Sequence, residues 1–121
     1  MKLLIVDDSQ IMQKTIQKFL GSHGLDIVGL AGDGKTALDL FREHEPEVVT
    51  MDITMPEMDG MACMAEMLKI KADTKVLVIT ALADEMTSLT AMEKGAAGFL
   101  NKPFTAQQIK DAFDELFEEE E

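Results

Sequence analysis

Residues 3–8 read Leu-Leu-Ile-Val-Asp-Asp, four apolar residues in a row followed at once by two carboxylates. A strand covered on both faces has no solvent side, so its residues need not alternate between apolar and polar. Leu3–Val6 therefore predicts a buried parallel strand. The same pattern recurs outward along the chain. Val48–Met51 (VVTM) runs into Asp52, Val76–Thr80 (VLVIT) ends on a hydroxyl followed by Ala81, and Gly98–Asn101 (GFLN) runs into Lys102 and Pro103. Ile27–Leu30 (IVGL) is the remaining strand candidate.

Helical patterns fill the intervals. Ile11, Met12, Thr15, Ile16, Phe19 and Leu20 recur at three-to-four spacing, which leaves Gln13, Lys14, Gln17 and Lys18 to the opposite, solvated face. Gly21 and Gly24 mark the end of that helix, Gly95 stops a later one, and Thr105 is placed to cap the last. Further helices are predicted over Gly34–Glu43, Gly60–Ile70, Asp84–Lys94 and Thr105–Phe117. Strand–helix alternation of this kind predicts an α/β fold, a doubly wound, five-stranded parallel sheet with helices on both faces. No linker interrupts the series, so residues 1–121 are read as one domain.

Composition narrows the function. The chain has 23 Asp and Glu against 11 Lys and Arg, a net charge of −12. That argues against a nucleic-acid partner, since binding the phosphate backbone depends on basic side chains. Six of the acids lie in Asp114–Glu121, and Glu118–Glu121 reads as a solvated acidic tail. Cys63 is the only cysteine, which excludes an intramolecular disulfide and a cysteine-based zinc cluster. No apolar run approaches the roughly 18 residues of a membrane span, so a cytoplasmic protein without a membrane partner is expected; a monomer is expected as well.

In an open parallel sheet, ligands bind beyond the carboxyl ends of the strands. The residues that end or follow the apolar runs are Asp7, Asp8, Asp52, Thr80 and Lys102. Each alone suits a turn or a helix cap. Together they put three carboxylates, a hydroxyl and an ammonium on one edge. Carboxylates so close need compensating positive charge, and an all-oxygen donor set suits Mg²⁺. Cation, lysine and hydroxyl are also the groups that neutralise a phosphoryl group in transfer.

IVDDS at 5–9, MDITMPEMDG at 51–60, VITA at 78–81 and NKPF at 101–104 resemble the four signature blocks of the response-regulator receiver domain, in particular its single-domain chemotaxis (CheY-like) type. The resemblance covers the whole chain. It implies the flavodoxin-like strand order 2-1-3-4-5, of which chemotaxis regulators of this family are themselves an example. It further implies that Asp52 accepts a phosphoryl group from a phosphohistidine on a histidine kinase or histidine phosphotransfer domain. Asp7, Asp8, Asp52 and the backbone carbonyl of Thr54 would serve Mg²⁺, with Asp7 acting mainly through water. Lys102 would pair with the phosphoryl oxygens beside a cis bond to Pro103, and Thr80 would turn its hydroxyl onto them. Phe99 matches the switch aromatic, where such regulators often carry Tyr.

The implied output is altered protein contact across the fourth helix, fifth strand and fifth helix, with a flagellar motor switch among the candidate targets. The chain would be a stand-alone phospho-acceptor rather than an enzyme. Thr54 and Leu82, at positions that tune phosphate loss in the family, imply slow self-hydrolysis. An intermediate phosphorelay carrier is the alternative. A flavodoxin-like cofactor binder is disfavoured because Asp7 and Asp8 would repel a nucleotide phosphate. A phosphohydrolase would need a further acid and a cap, and with no effector domain expected after residue 121 the output is expected to be a protein–protein contact. Of the weaker signals, Met55, Met58, Met61, Met64 and Met67 read mainly as core, Cys63 as a packing residue, His23 and His44 as surface, and Met12 or Gln10 as a contact for the kinase.

Overall fold

The computed structural model describes residues 1–21, 24–54, 59–81 and 85–118. Five strands, β1 (Lys2–Val6), β2 (Asp26–Ala31), β3 (Val48–Met51), β4 (Lys75–Thr80) and β5 (Gly98–Asn101), alternate with five helices. These are α1 (Gln10–Leu20), α2 (Gly34–His44), α3 (Gly60–Ile70), α4 (Glu85–Glu93) and α5 (Ala106–Glu115). All pairings are parallel and the strand order is β2-β1-β3-β4-β5.

The continuous apolar runs are explained by the two layers they separate. Successive strand residues point to opposite faces. Leu4, Val6, Val49, Met51, Val76 and Val78 join Phe41 of α2, Met64 and Met67 of α3 and Ala91 of α4 in one core. Leu3, Ile5, Val48, Leu77 and Ile79 join Ile16 and Leu20 of α1 and Ile109 and Phe113 of α5 in the other. Every residue of the central strand β3 is buried, whereas most of β2 and β5, at the edges, is only half-buried. The edge position, not a weaker sequence, accounts for that difference.

Local chemistry sets the ends. Ser9, Asp33, Asp59 and Thr105 cap α1, α2, α3 and α5, each accepting a hydrogen bond from a first-turn backbone N–H. Thr105 and Gln108 form a reciprocal capping box. Gly95, at φ +110°, ends the α4 segment in a conformation that side chains avoid. Gly21 is right-handed at φ −61°, so the chain uses no left-handed residue there, while Gly24 is at φ +66°.

Two sequence expectations need correction. Gln13, which the helical periodicity assigns to the face away from the core, is buried. Met12 packs against the α1/α5 core, and Ile11 instead stands 80% exposed at the start of the helix. Met64 and Met67 are core and Met61 is half-buried, whereas Met55 and Met58, like His23, Leu82, Asp84 and tail residues 119–121, lie outside the described residues. No helix among the described residues is long and apolar enough to cross a membrane.

Candidate functional site

The site begins where the strands stop. Asp7 donates its backbone N–H to the carbonyl of Ala31, the last residue of β2 (2.9 Å), and Asp52 donates to that of Val6, the last of β1 (2.9 Å). Lys102 donates to that of Thr80, the last of β4 (2.9 Å). Three residues widely separated in sequence are thus each registered by one more rung of the ladder. This is why their side chains meet.

Asp7, Asp8 and Asp52 each offer a carboxylate oxygen, and these oxygens lie within 4.8 Å of one another. Lys102 Nζ is 2.7 Å from Asp7 Oδ2 and 3.5 Å from Asp52 Oδ2, so its short contact is with Asp7. Asp7 and Asp52 are buried, and Asp8 is exposed. Burial pushes the Asp7 carboxyl above its ordinary range; the bonds from Lys102 and from the Ser9 N–H (2.9 Å) pull against that rise, and the charge of Asp52 adds to it. The other oxygen of Asp52, Oδ1, accepts from the Thr54 N–H (3.1 Å) and the Thr54 hydroxyl (3.0 Å). Asp52 is therefore held from both of its oxygens.

Gly60, the first residue of α3, donates its N–H to Ile53 O (3.2 Å). A Cβ on residue 60 would collide with the Asp52 carbonyl oxygen and come within 2.5 Å of Ile53 Cα. The glycine after Asp59 is required by this approach, and the Asp-Gly pair at 59–60 was its signal in the sequence.

The other expected residues lie at the same edge or beside it. Thr80 ends β4 and is fully buried. The Lys102–Pro103 bond is cis. Phe99, on β5, is half-buried against the core that includes Ala91 of α4. Sequence reading missed Gln13, whose Nε2 donates to the Asp7 carbonyl (2.7 Å) and the Ala31 carbonyl (3.3 Å). It also missed Ser9, which binds Asp7 through its N–H and caps α1 through its hydroxyl.

Mg²⁺ passes a test of fit here. Three carboxylates face one ammonium, the donors are hard oxygens, and Asp8 has no side-chain partner among the described residues. An acidic pocket that fits a hard cation, with a lysine beside it, at the carboxyl edge of a doubly wound parallel sheet suits a phosphoryl-handling class of α/β domain.

Comparison with known proteins narrows this to a family. Residues 3–114 match the model of the response regulator receiver domain, and the chain belongs to that family. It is 37% identical to the chemotaxis protein CheY of Bacillus subtilis over 111 residues, which span 92% of each chain. It is 33% identical to CheY of Thermotoga maritima, covering 95% of this chain and 96% of that one. Among solved structures it is similar to a CheX–CheY–BeF₃–Mg²⁺ complex from Borrelia burgdorferi, with a TM-score of 0.94, 32% identity, and 98% of this chain and 90% of that one covered.

Proposed function

We propose that this protein is a stand-alone response regulator of a two-component system of the chemotaxis type, which takes a phosphoryl group onto Asp52. The donor is the phosphohistidine of a kinase or of a histidine phosphotransfer domain. A carboxylate oxygen of Asp52 forms the new O–P bond as the N–P bond of the phosphohistidine breaks, and the imidazole leaves with the electron pair and takes up a proton. The product is an acyl phosphate.

The observation that carries this reading is the joint placement of Asp52, Asp7, Asp8 and Lys102 in a member of the receiver family. Asp8, Asp52 and the Thr54 carbonyl would hold Mg²⁺, with Asp7 acting through water. Bound there, the ion supplies positive charge against the incoming phosphoryl oxygens. Lys102 shares its ammonium between Asp7 and the phosphoryl group. Thr54 fixes the orientation of Asp52 through its N–H and hydroxyl. With its hydroxyl so engaged, Thr54 is poorly placed to orient a hydrolytic water, which favours slow loss of phosphate. Thr80 donates its hydroxyl to the phosphoryl group, and Phe99 follows it, shifting the population between two packings of the α4–β5–α5 face. The output is a protein–protein contact on that face.

Incubation with Mg²⁺ and a small phosphodonor tests the central claim. Intact mass should rise by one phosphoryl group in the wild type and not in Asp52→Asn. Equal behaviour of the two proteins would sink it.

A further inference from the structure

Gln13 is the one polar side chain of α1 enclosed by the core. Its amide faces two carbonyl oxygens, those of Asp7 (2.7 Å) and Ala31 (3.3 Å). Since both neighbours are acceptors, the NH₂ end must point to them. The Ala31 carbonyl also receives the Asp7 N–H (2.9 Å), so one glutamine joins the ends of β1 and β2 to α1.

The consequence falls on the next residue. The peptide group is planar, so holding the Asp7 carbonyl also holds the Asp8 N–H and Cα. Asp7 is fixed independently, through its N–H to Ala31, Oδ1 to Ser9 and Oδ2 to Lys102. Asp8 has no such restraint on its carboxylate, which is exposed and unpartnered among the described residues. Its direction depends on the peptide plane that Gln13 holds.

We propose that Gln13 is a positioning residue for cation binding: by donating to the Asp7 carbonyl it fixes the Asp7–Asp8 peptide and aims the Asp8 carboxylate at the cation. This rests on the magnesium reading given above. It is the arrangement by which groups behind a ligand set its orientation, and losing such a partner typically weakens metal binding about 10- to 100-fold.

The test is calorimetric titration of Mg²⁺ into wild type, Gln13→Met and Ile16→Val. The methionine keeps the length and bulk of Gln13 but cannot donate. Ile16→Val removes a methylene from the same buried face of α1 and controls for a loss of packing alone. The dissociation constant should rise about 10-fold or more in Gln13→Met and stay unchanged in Ile16→Val. Binding by Gln13→Met equal to wild type, or a matching loss in Ile16→Val, overturns the proposal. Should Gln13→Met fail to fold, NMR of the wild type decides. The Gln13 side-chain amide and the Asp8 backbone amide should shift together on Mg²⁺ addition, and an unmoved Gln13 amide at saturation overturns the proposal. Absence of Mg²⁺ binding by wild type is a different failure, because it removes the magnesium reading first and this proposal with it.

Discussion

Helices α1 and α4 both follow strands that end at the site, yet they are attached to the sheet in different ways. α1 buries Gln13, Ile16 and Leu20 and is capped by Ser9. α4 buries Ala91 alone and leaves Met86 72% exposed, with Leu89 and Met92 also exposed. A cavity of about 360 Å³ opens between it and the segment after β3, lined by Ile53, Asp59 and Met61 on one side and Met86, Thr87 and Thr90 on the other. One helix buries three side chains including a glutamine, the other only the methyl group of Ala91. Elements with few buried contacts open at low free energy and are the ones available for switching. A domain that turns a chemical event into a change of surface needs both kinds, a fixed place for the chemistry and a neighbour that moves at small cost.

Mutations can break this contrast. The largest effect is expected from Ile16→Ala, which empties a fully enclosed position of α1 and should cost about 2–5 kcal/mol in urea unfolding. Gly60→Ala forces a methyl against the Asp52 carbonyl and Ile53 Cα, with a loss of about 1–3 kcal/mol by the same measure. A neutral outcome would mean that the backbone at Asp52 and Ile53 yields easily, and the site would then be less rigid than α1.

A smaller effect is expected from pH. The folded state raises the Asp7 carboxyl above its ordinary 3.8. Between that value and the raised one, the native protein holds more protons than the unfolded chain, so stability falls as pH rises. In metal-free protein, thermal melts across this window should decline with pH, and Asp7→Asn should flatten the decline. A steeper decline in the variant would contradict the assigned cause. Leu89→Ala on α4 should be least costly, within about 0.5 kcal/mol. Native-state hydrogen exchange should find the α4 amides opening at lower free energy than those of α1. A stability loss as large as that of Ile16→Ala would erase the distinction.

Much of this could be read from the chain because buried parallel strands announce themselves. Val48–Met51 and Gly98–Asn101 match the strands as built, and Leu3–Val6, Ile27–Leu30 and Val76–Thr80 fall short by only a terminal residue or two. Asp7, Asp52 and Lys102 were legible for the same reason, since each follows a strand end that the ladder fixes. What escaped was polar burial. Gln13 sits on the helical face that its neighbours Lys14 and Gln17 mark as solvated, and only the two carbonyls at the strand ends explain why it turns inward. Periodicity alone could not tell Ile11 from Met12, because the direction in which α1 leaves the site decides which one meets the core. α4 was legible as a helix near 84–94 but not as a loosely held one, since Met86, Leu89 and Met92 look like core residues until a sheet is placed beneath them.

Cys63 carries a practical consequence. The thiol sits between α2 and α3, fully enclosed, its Sγ 3.7 Å from the Gly34 carbonyl, and burial pushes its pKa up to about 12. Only the thiolate is a good nucleophile, so an alkylating reagent meets an inert sulfur for as long as these helices stay together. As the only cysteine in the chain, it makes the native protein its own unfolding clock. The rate at which mass accumulates during pulsed alkylation reads the opening of this layer directly, without an added probe and on the unmodified sequence.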